Sequence, residues 1–384
     1  MLLLLSSSFL FVSLNSTFLM VDGIYNLDKI DASLIPEGEM GSILYEQNGL
    51  LYLLLDDPPQ TEENVDLIQI IDIQHPENFT VIGSYELEVA ERIFDFKISG
   101  NISYLLLNMA NIFCHNFFIR LLNITDPTNP TFLGDSALVV VSGLVNEKFS
   151  RMSVYQNYTF VNLDELFIFD CHNLSSPQII ASYNSSIGDL HVNNGFLYLV
   201  STSVKVFDLA NPVNPILLGE INSTKFHSVD SELYGNYIIR AFYKSGIQIY
   251  NCTNPLHPTI CSDYEFSSWA TNEEENIQDL DIEEDRLFVG GKKFYIFDLS
   301  KPQKLKRIGQ INFDNQYINQ TTVTETCLFI TFNGTIIIYT YVESNLGHNL
   351  LIVFGIGLSI VVGVRVLVVL KRKIAEKKQS LNNP

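Results

Sequence analysis

The sequence predicts an all-β fold: a seven-bladed β-propeller ectodomain closed by its N-terminal strand, followed by one C-terminal transmembrane α-helix. Three observations point there. A strand-turn-strand unit recurs six times, at intervals of 38 to 51 residues. The composition, with 26 Phe and 18 Tyr but one Trp in 384 residues, favours strands over helical bundles. An apolar run of 21 residues lies near the C-terminus.

Residues 1–22 read as a signal peptide, because the first 21 carry no charged side chain, although the usual basic n-region is missing. Residues 23–342 form the expected propeller. Its first segment, GIYNL at Gly23–Leu27, resembles the GSYEL of the first repeat but has no strands ahead of it. This orphan strand is expected to complete the last blade and cover an otherwise open edge.

The repeats read IQIIDIQHPENFTVIGSY from Ile68, IRLLNITDPTNPTFLGDS from Ile119, LFIFDCHNLSSPQIIASY from Leu166, VKVFDLANPVNPILLGEI from Val204, IQIYNCTNPLHPTICSDY from Ile247 and FYIFDLSKPQKLKRIGQI from Phe294. The Asp or Asn that closes each first strand sets an origin: Asp72, Asn123, Asp170, Asp208, Asn251 and Asp298. Four positions on stands Pro76, Pro127, Pro212, Pro255 or Pro302, and seven on stands Pro130, Pro177, Pro215 or Pro258. Eleven on stands Gly83, Gly134, Gly219 or Gly309, with Ala181 and Ser262 in the other two copies. Such units are hairpins, in which an Asx residue bonds its own backbone and prolines sit where no ladder donor is needed.

A second pair of short strands precedes each hairpin, as in IGDLHVNNGFLYLVST before Val204, so each repeat supplies four strands, the content of a propeller blade. A seventh unit, TVTETCLFITFNGTIIIYTY from Thr322, supplies three strands and then runs toward the apolar segment. The repeats resemble the LVIVD-repeat β-propellers, whose units combine an apolar-D-apolar strand, xNPxxP and a Gly-Ser-Tyr strand. The resemblance covers about residues 23 to 342; it is good at Ile68–Tyr85 and Val204–Glu220 and weaker at Leu166–Tyr183, which lacks the first proline. It implies a propeller that is secreted or surface-attached, and no particular reaction.

After a linker, residues 343–349, the run Leu350 to Leu370 is long enough to cross a hydrocarbon core of about 30 Å as a helix. Residues 371–384 form the expected cytoplasmic tail. From Arg365 onward six basic residues stand against Glu376, whereas the chain from Asp22 to Asn349 has a net charge of −25. The positive-inside bias therefore predicts a single-pass type I protein of the cell membrane, with its ectodomain outside. Gly355, Ser359 and Gly363 share one helical face and suit a weak homodimer. Ten N-x-[ST] sequons, at Asn78, Asn101, Asn123, Asn157, Asn173, Asn184, Asn222, Asn251, Asn319 and Asn333, are candidate glycosylation sites of an extracellular chain.

An ectodomain this acidic repels phosphate backbones, which argues against nucleic acid as a partner. The sequence has no Walker loop, GxGxxG, GxSxG or HExxH. Candidate site residues must then be sought on the innermost strands, which converge on the axis. Asp95, Asp189 and Asp279 occupy matching positions there, with Arg151, His191, His227, Asp230, Asp281 and Gln320 nearby. They read either as a mutually satisfied channel lining or as a ligand or calcium site. No cofactor is expected, with calcium the alternative. The acidic stretch Thr271–Asp285 reads as a solvated connecting loop, and His75, His172 and His257 as exposed loop residues. Five cysteines make no disulfide framework, with Cys252 and Cys261 the preferred pair and buried thiols the alternative. The function expected is a surface recognition, adhesion or scaffold module with an extracellular protein or glycan partner, because no nucleophile and base pair is evident; the alternative is a metal-dependent, lactonase-like extracellular hydrolase with its site on the axis.

Overall fold

A computed structural model describes residues 19–21, 26–30, 40–56, 65–75, 79–110, 115–141, 151–225, 228–266, 276–311, 317–324, 327–332 and 335–342. The expected linker, membrane segment with Gly355, Ser359 and Gly363, and tail lie outside these residues, as do most of the signal peptide, Asn78, Cys114, His227 and Asn333. Among the described residues no helix is long and apolar enough to cross a membrane.

Seven antiparallel sheets follow one another along the chain. In the fourth, Asp189–Asn193 is innermost, then Phe196–Val200, Ser203–Asp208 and finally Ile216–Asn222 at the edge. Blades 1, 2, 3, 5 and 6 repeat this order from Met40, Glu91, Met152, Ser228 and Asp279. Blade 7 takes Gln320–Val323, Cys327–Phe332 and Thr335–Val342 from the C-terminal end, and its fourth strand, Asn26–Ile30, pairs with Thr335–Val342. Two additions were not foreseen: Val139–Val141 shares the outer edge of blade 2, and Leu19–Val21 adds to the outer strand of blade 6.

Apolar residues alternate along the strands, so each blade packs on both faces. Leu105 and Leu107 join the core shared with blade 1, while Tyr104 and Leu106 join the one shared with blade 3. Seven such clusters lie in the seven interfaces, including one between blade 7 (Phe329, Ile338) and blade 1 (Leu51, Leu53, Ile71). Each fully buried side chain of this kind contributes about 1.5–3 kcal/mol.

The repeat's origin residue behaves as its chemistry requires. In all six copies its side-chain oxygen accepts the backbone N–H two residues on, from Gln74, Thr125, His172, Ala210, Thr253 and Ser300. A second Asx turn follows at Asp126, Asn173, Asn211 and Asn254. The loop so formed reaches the neighbouring blade: a Cβ on Gly83 would collide with the carbonyl of Pro127, and one on Gly219 with that of Pro255. Both are docking points for the next blade's proline loop.

Two expectations need correction. Cys252 and Cys261 are free thiols. A bulge at Ile249/Tyr250 skips Cys261 in the pairing, and the two side chains join different cores, Cys252 that of blades 4 and 5 and Cys261 that of blades 5 and 6. The stretch Thr271–Asp285 is not all loop, since Asp279–Glu283 is the innermost strand of blade 6, with a turn at Glu284.

Candidate functional site

Strand register defines a ring around the axis. Ser42, Asp95, Asp189, Asp230, Asp279 and Gln320 each pair with the corresponding residue of their blade's second strand, and Arg151 takes the same place in blade 3 through the bond from Asn162 N–H to its carbonyl. All seven positions are polar. Two residues further along, or three in blade 1 where a bulge falls between Ile43 and Tyr45, lies a second ring of Tyr45, Lys97, Ser153, His191, Glu232, Asp281 and Thr322.

The ring carboxylates reach forward to the next blade, each to the residue that follows its counterpart there. Asp95 Oδ2 accepts Met152 N–H at 2.7 Å, Asp230 Oδ2 accepts Leu280 N–H at 2.7 Å, and Asp279 Oδ2 accepts Thr321 N–H at 2.6 Å and its hydroxyl at 2.7 Å. Asp281 repeats this from the second ring, taking Val323 N–H at 2.5 Å. Asp189, fully buried, accepts the Ser231 hydroxyl at 2.7 Å. These bonds clasp blade to blade, because an innermost-strand N–H turned toward the seam would otherwise be buried without an acceptor.

Charge around the axis is uneven. Arg151, buried and 5.5 Å over the Phe94 ring, stands in ring order between Asp95 and Asp189; burial lowers its pKa and the two carboxylates oppose that shift. Blades 5 and 6 carry two acids each, Asp230 with Glu232 and Asp279 with Asp281. Burial, reinforced by neighbouring carboxylates, pushes Asp230 and Asp281 well above the usual carboxylate range; Glu232, with Lys97 opposing, rises to about 7. Burial likewise raises Asp279 to about 7, against its bonds to Thr321. Burial alone would lower Lys97, but Asp95, Glu232, Tyr45 and Asp189 outweigh it and raise its pKa.

His191 is held neutral, its pKa pushed down to about 3 by burial and by Lys97. Its Nε2 lies 2.9 Å from Ser231 Oγ, which suggests a Ser-His-Asp arrangement. The order of contacts does not make one, because Asp189 bonds the Ser231 hydroxyl and not the His191 ring, whereas in a Ser-His-Asp relay the carboxylate orients the imidazole.

Thus Asp95, Asp189, Asp279 and Arg151 share one ring, and His191 lies in the second. Sequence reasoning placed Asp230 among the neighbours and missed that it completes the ring, because a bulge between Ser228 and Asp230 shifts the count by one. Lys97 and Glu232 were missed outright; polar residues two positions beyond each ring residue were the available signal. Among the described residues no group of three or more His, Cys, Asp or Glu side chains is arranged to hold a metal. Of the sequons, Asn101, Asn157, Asn173, Asn184, Asn222 and Asn319 are exposed, while Asn123 and Asn251 are half-buried origin residues. His172 and His257 are exposed, as is His75.

The LVIVD repeat family matches residues 148–185, which is blade 3. With seven four-stranded blades, the chain fits the LVIVD-repeat β-propellers. No curated protein sequence matches it. Among solved structures, the computationally designed Ika8 protein is similar at a TM-score of 0.52 and 9% identity, over 82% of this chain and 99% of that one. BamB from Moraxella catarrhalis is similar at a TM-score of 0.48 and 11% identity, over 79% of this chain and 85% of that one. The first of these likenesses supports the propeller fold.

Proposed function

Starting from a seven-bladed propeller that fits the LVIVD-repeat family, we propose that this chain is a recognition module displayed on the outer face of the cell membrane. One observation carries the choice of recognition over hydrolysis. The axial carboxylates that a hydrolase would use are engaged in bonds between blades, and at the contact of His191, Ser231 and Asp189 the carboxylate meets the serine and not the imidazole. A partner, protein or glycan, is then met by the propeller's outer surfaces.

Residues ahead of Leu19 serve as the signal peptide, a bound earlier than residue 22 because Leu19–Val21 pairs with blade 6, residues 350–370 serve as the single membrane span, and the exposed sequons Asn184, Asn222 and Asn319 serve as glycan acceptors. Support comes from the apolar run, the basic tail and the acidic ectodomain. Pairing of Asn26–Ile30 with Thr335–Val342 supports ring closure by the N-terminal strand. Spacing of Gly355, Ser359 and Gly363 supports weak association of two spans. Protease added to intact cells should remove the ectodomain and leave the tail in the membrane. Digestion of the tail alone would overturn the topology.

A further inference from the structure

The third strand of every blade runs toward the proline loops, and the fourth begins just after them. Nine positions past the origin stand Val81, Phe132, Ile179 and Leu217 in blades 1 to 4, and beside them Ile216 and, in the blade 5 loop, Leu256. All six are between 37% and 58% exposed. Scattered apolar residues on a surface need no explanation, but these recur at one register position on one rim. In blade 6 the rim turns basic, with Lys301, Lys304, Lys306 and Arg307 all exposed.

The chain also leaves the propeller on this face. In blade 7 Cys327 pairs with Thr340 as Leu50 pairs with Asp72, so Thr340 stands at the origin position and Val342 ends the strand beyond it. Seven residues, 343–349, then separate it from the apolar run at Leu350. A linker of that length spans at most about 25 Å.

We propose that the loop face of the propeller rests on the lipid bilayer that holds residues 350–370, its apolar rim at the headgroup boundary and the blade 6 lysines and arginine against anionic headgroups. This rests on the reading of residues 350–370 as a membrane span. A short tether confines this face to the bilayer surface, where apolar side chains gain by partial burial and basic ones by the surface potential. Asp72, Asp126, Asp170, Asp208 and Asp298 lie on the same face, so apolar contact rather than charge must hold blades 1 to 4, and the sequons there, Asn101, Asn157 and Asn173, must stay free of glycan. The opposite face, with Val89, Met109 and Leu138 exposed, points outward and is free to meet a partner.

The test is hydroxyl-radical footprinting of the full chain, reconstituted in phosphatidylcholine vesicles with and without phosphatidylserine and compared with detergent micelles. Phe132, Ile216, Leu217 and Leu256 should be oxidised several-fold less in vesicles, with Val89, Met109 and Leu138 unchanged. Lys306→Glu with Arg307→Glu should reduce that protection in the phosphatidylserine vesicles only. Alkaline carbonate extraction reads the anchor separately. Equal oxidation in vesicles and micelles, in a chain that resists extraction, overturns the docking and leaves the anchor standing. Equal oxidation in a chain that is extracted overturns both, and protection that grows with the protein-to-lipid ratio identifies a second copy instead of lipid and also overturns the proposal.

Discussion

At the scale of single residues, Asp95, Asp189, Asp230, Asp279 and Asp281 clasp neighbouring blades, and the axial carboxylates of blades 5 and 6 hold their protons to higher pH than exposed carboxylates do. Glu232 and Asp279 titrate near 7 in the folded chain, and Asp230 and Asp281 are raised as well, whereas all four titrate near 4 when unfolded. The folded state therefore binds more protons between about pH 4 and 7, and stability from these groups is present below that window and lost as pH rises through it. The melting temperature should be higher at pH 5 than at pH 8, and Glu232→Gln should flatten the dependence. A melting temperature rising with pH across that range would contradict the assignment. Most of this was legible as an alternation of polar residues on the innermost strands. What was not legible was the direction in which each carboxylate turns, because the bulges at Ile93/Asp95 and Ser228/Asp230 break simple counting.

At the scale of the blade, the repeat is an instruction for docking to the next blade as much as for a hairpin. Asn251→Ala removes one Asx bond to Thr253 N–H and should cost about 1 kcal/mol. Gly219→Ala should cost more, about 1–3 kcal/mol, because its Cβ meets the rigid carbonyl of Pro255. Denaturant titration of both variants measures the order, and an equal or reversed cost would show that the glycine serves only its own strand. The hairpins were readable because proline and Asx preferences are local. The failure at Cys252 and Cys261 has the same root: nine residues across a tight hairpin suggested proximity, but the bulge sent the two thiols to opposite faces of the sheet. Thiol alkylation of the denatured, unreduced protein should modify Cys171, Cys252, Cys261 and Cys327 alike.

At the scale of the whole molecule, seven interfaces each bury an apolar cluster, and in the seventh sheet Asn26–Ile30 pairs with Thr335–Val342. Removing Asn26–Ile30 should expose the edge of Thr335–Val342 and lower the melting temperature far more than loss of five terminal residues ordinarily does. An unchanged melting curve would show that the ring closes without that strand. The blade count was legible from six spaced repeats and the split unit from Thr322, whereas Leu19–Val21 on blade 6 carried no recognisable pattern. The central claim is that the axial carboxylates act as clasps between blades. Asp279 decides it most directly, through melting curves of the wild type, Asp279→Ala and Asp279→Asn, each taken with calcium and with chelator. A clasp needs an acceptor and not a charge, so alanine should cost about 1–3 kcal/mol, asparagine should recover most of it, and calcium should change nothing. Asparagine as damaging as alanine, together with a wild type that calcium stabilises, would contradict the account.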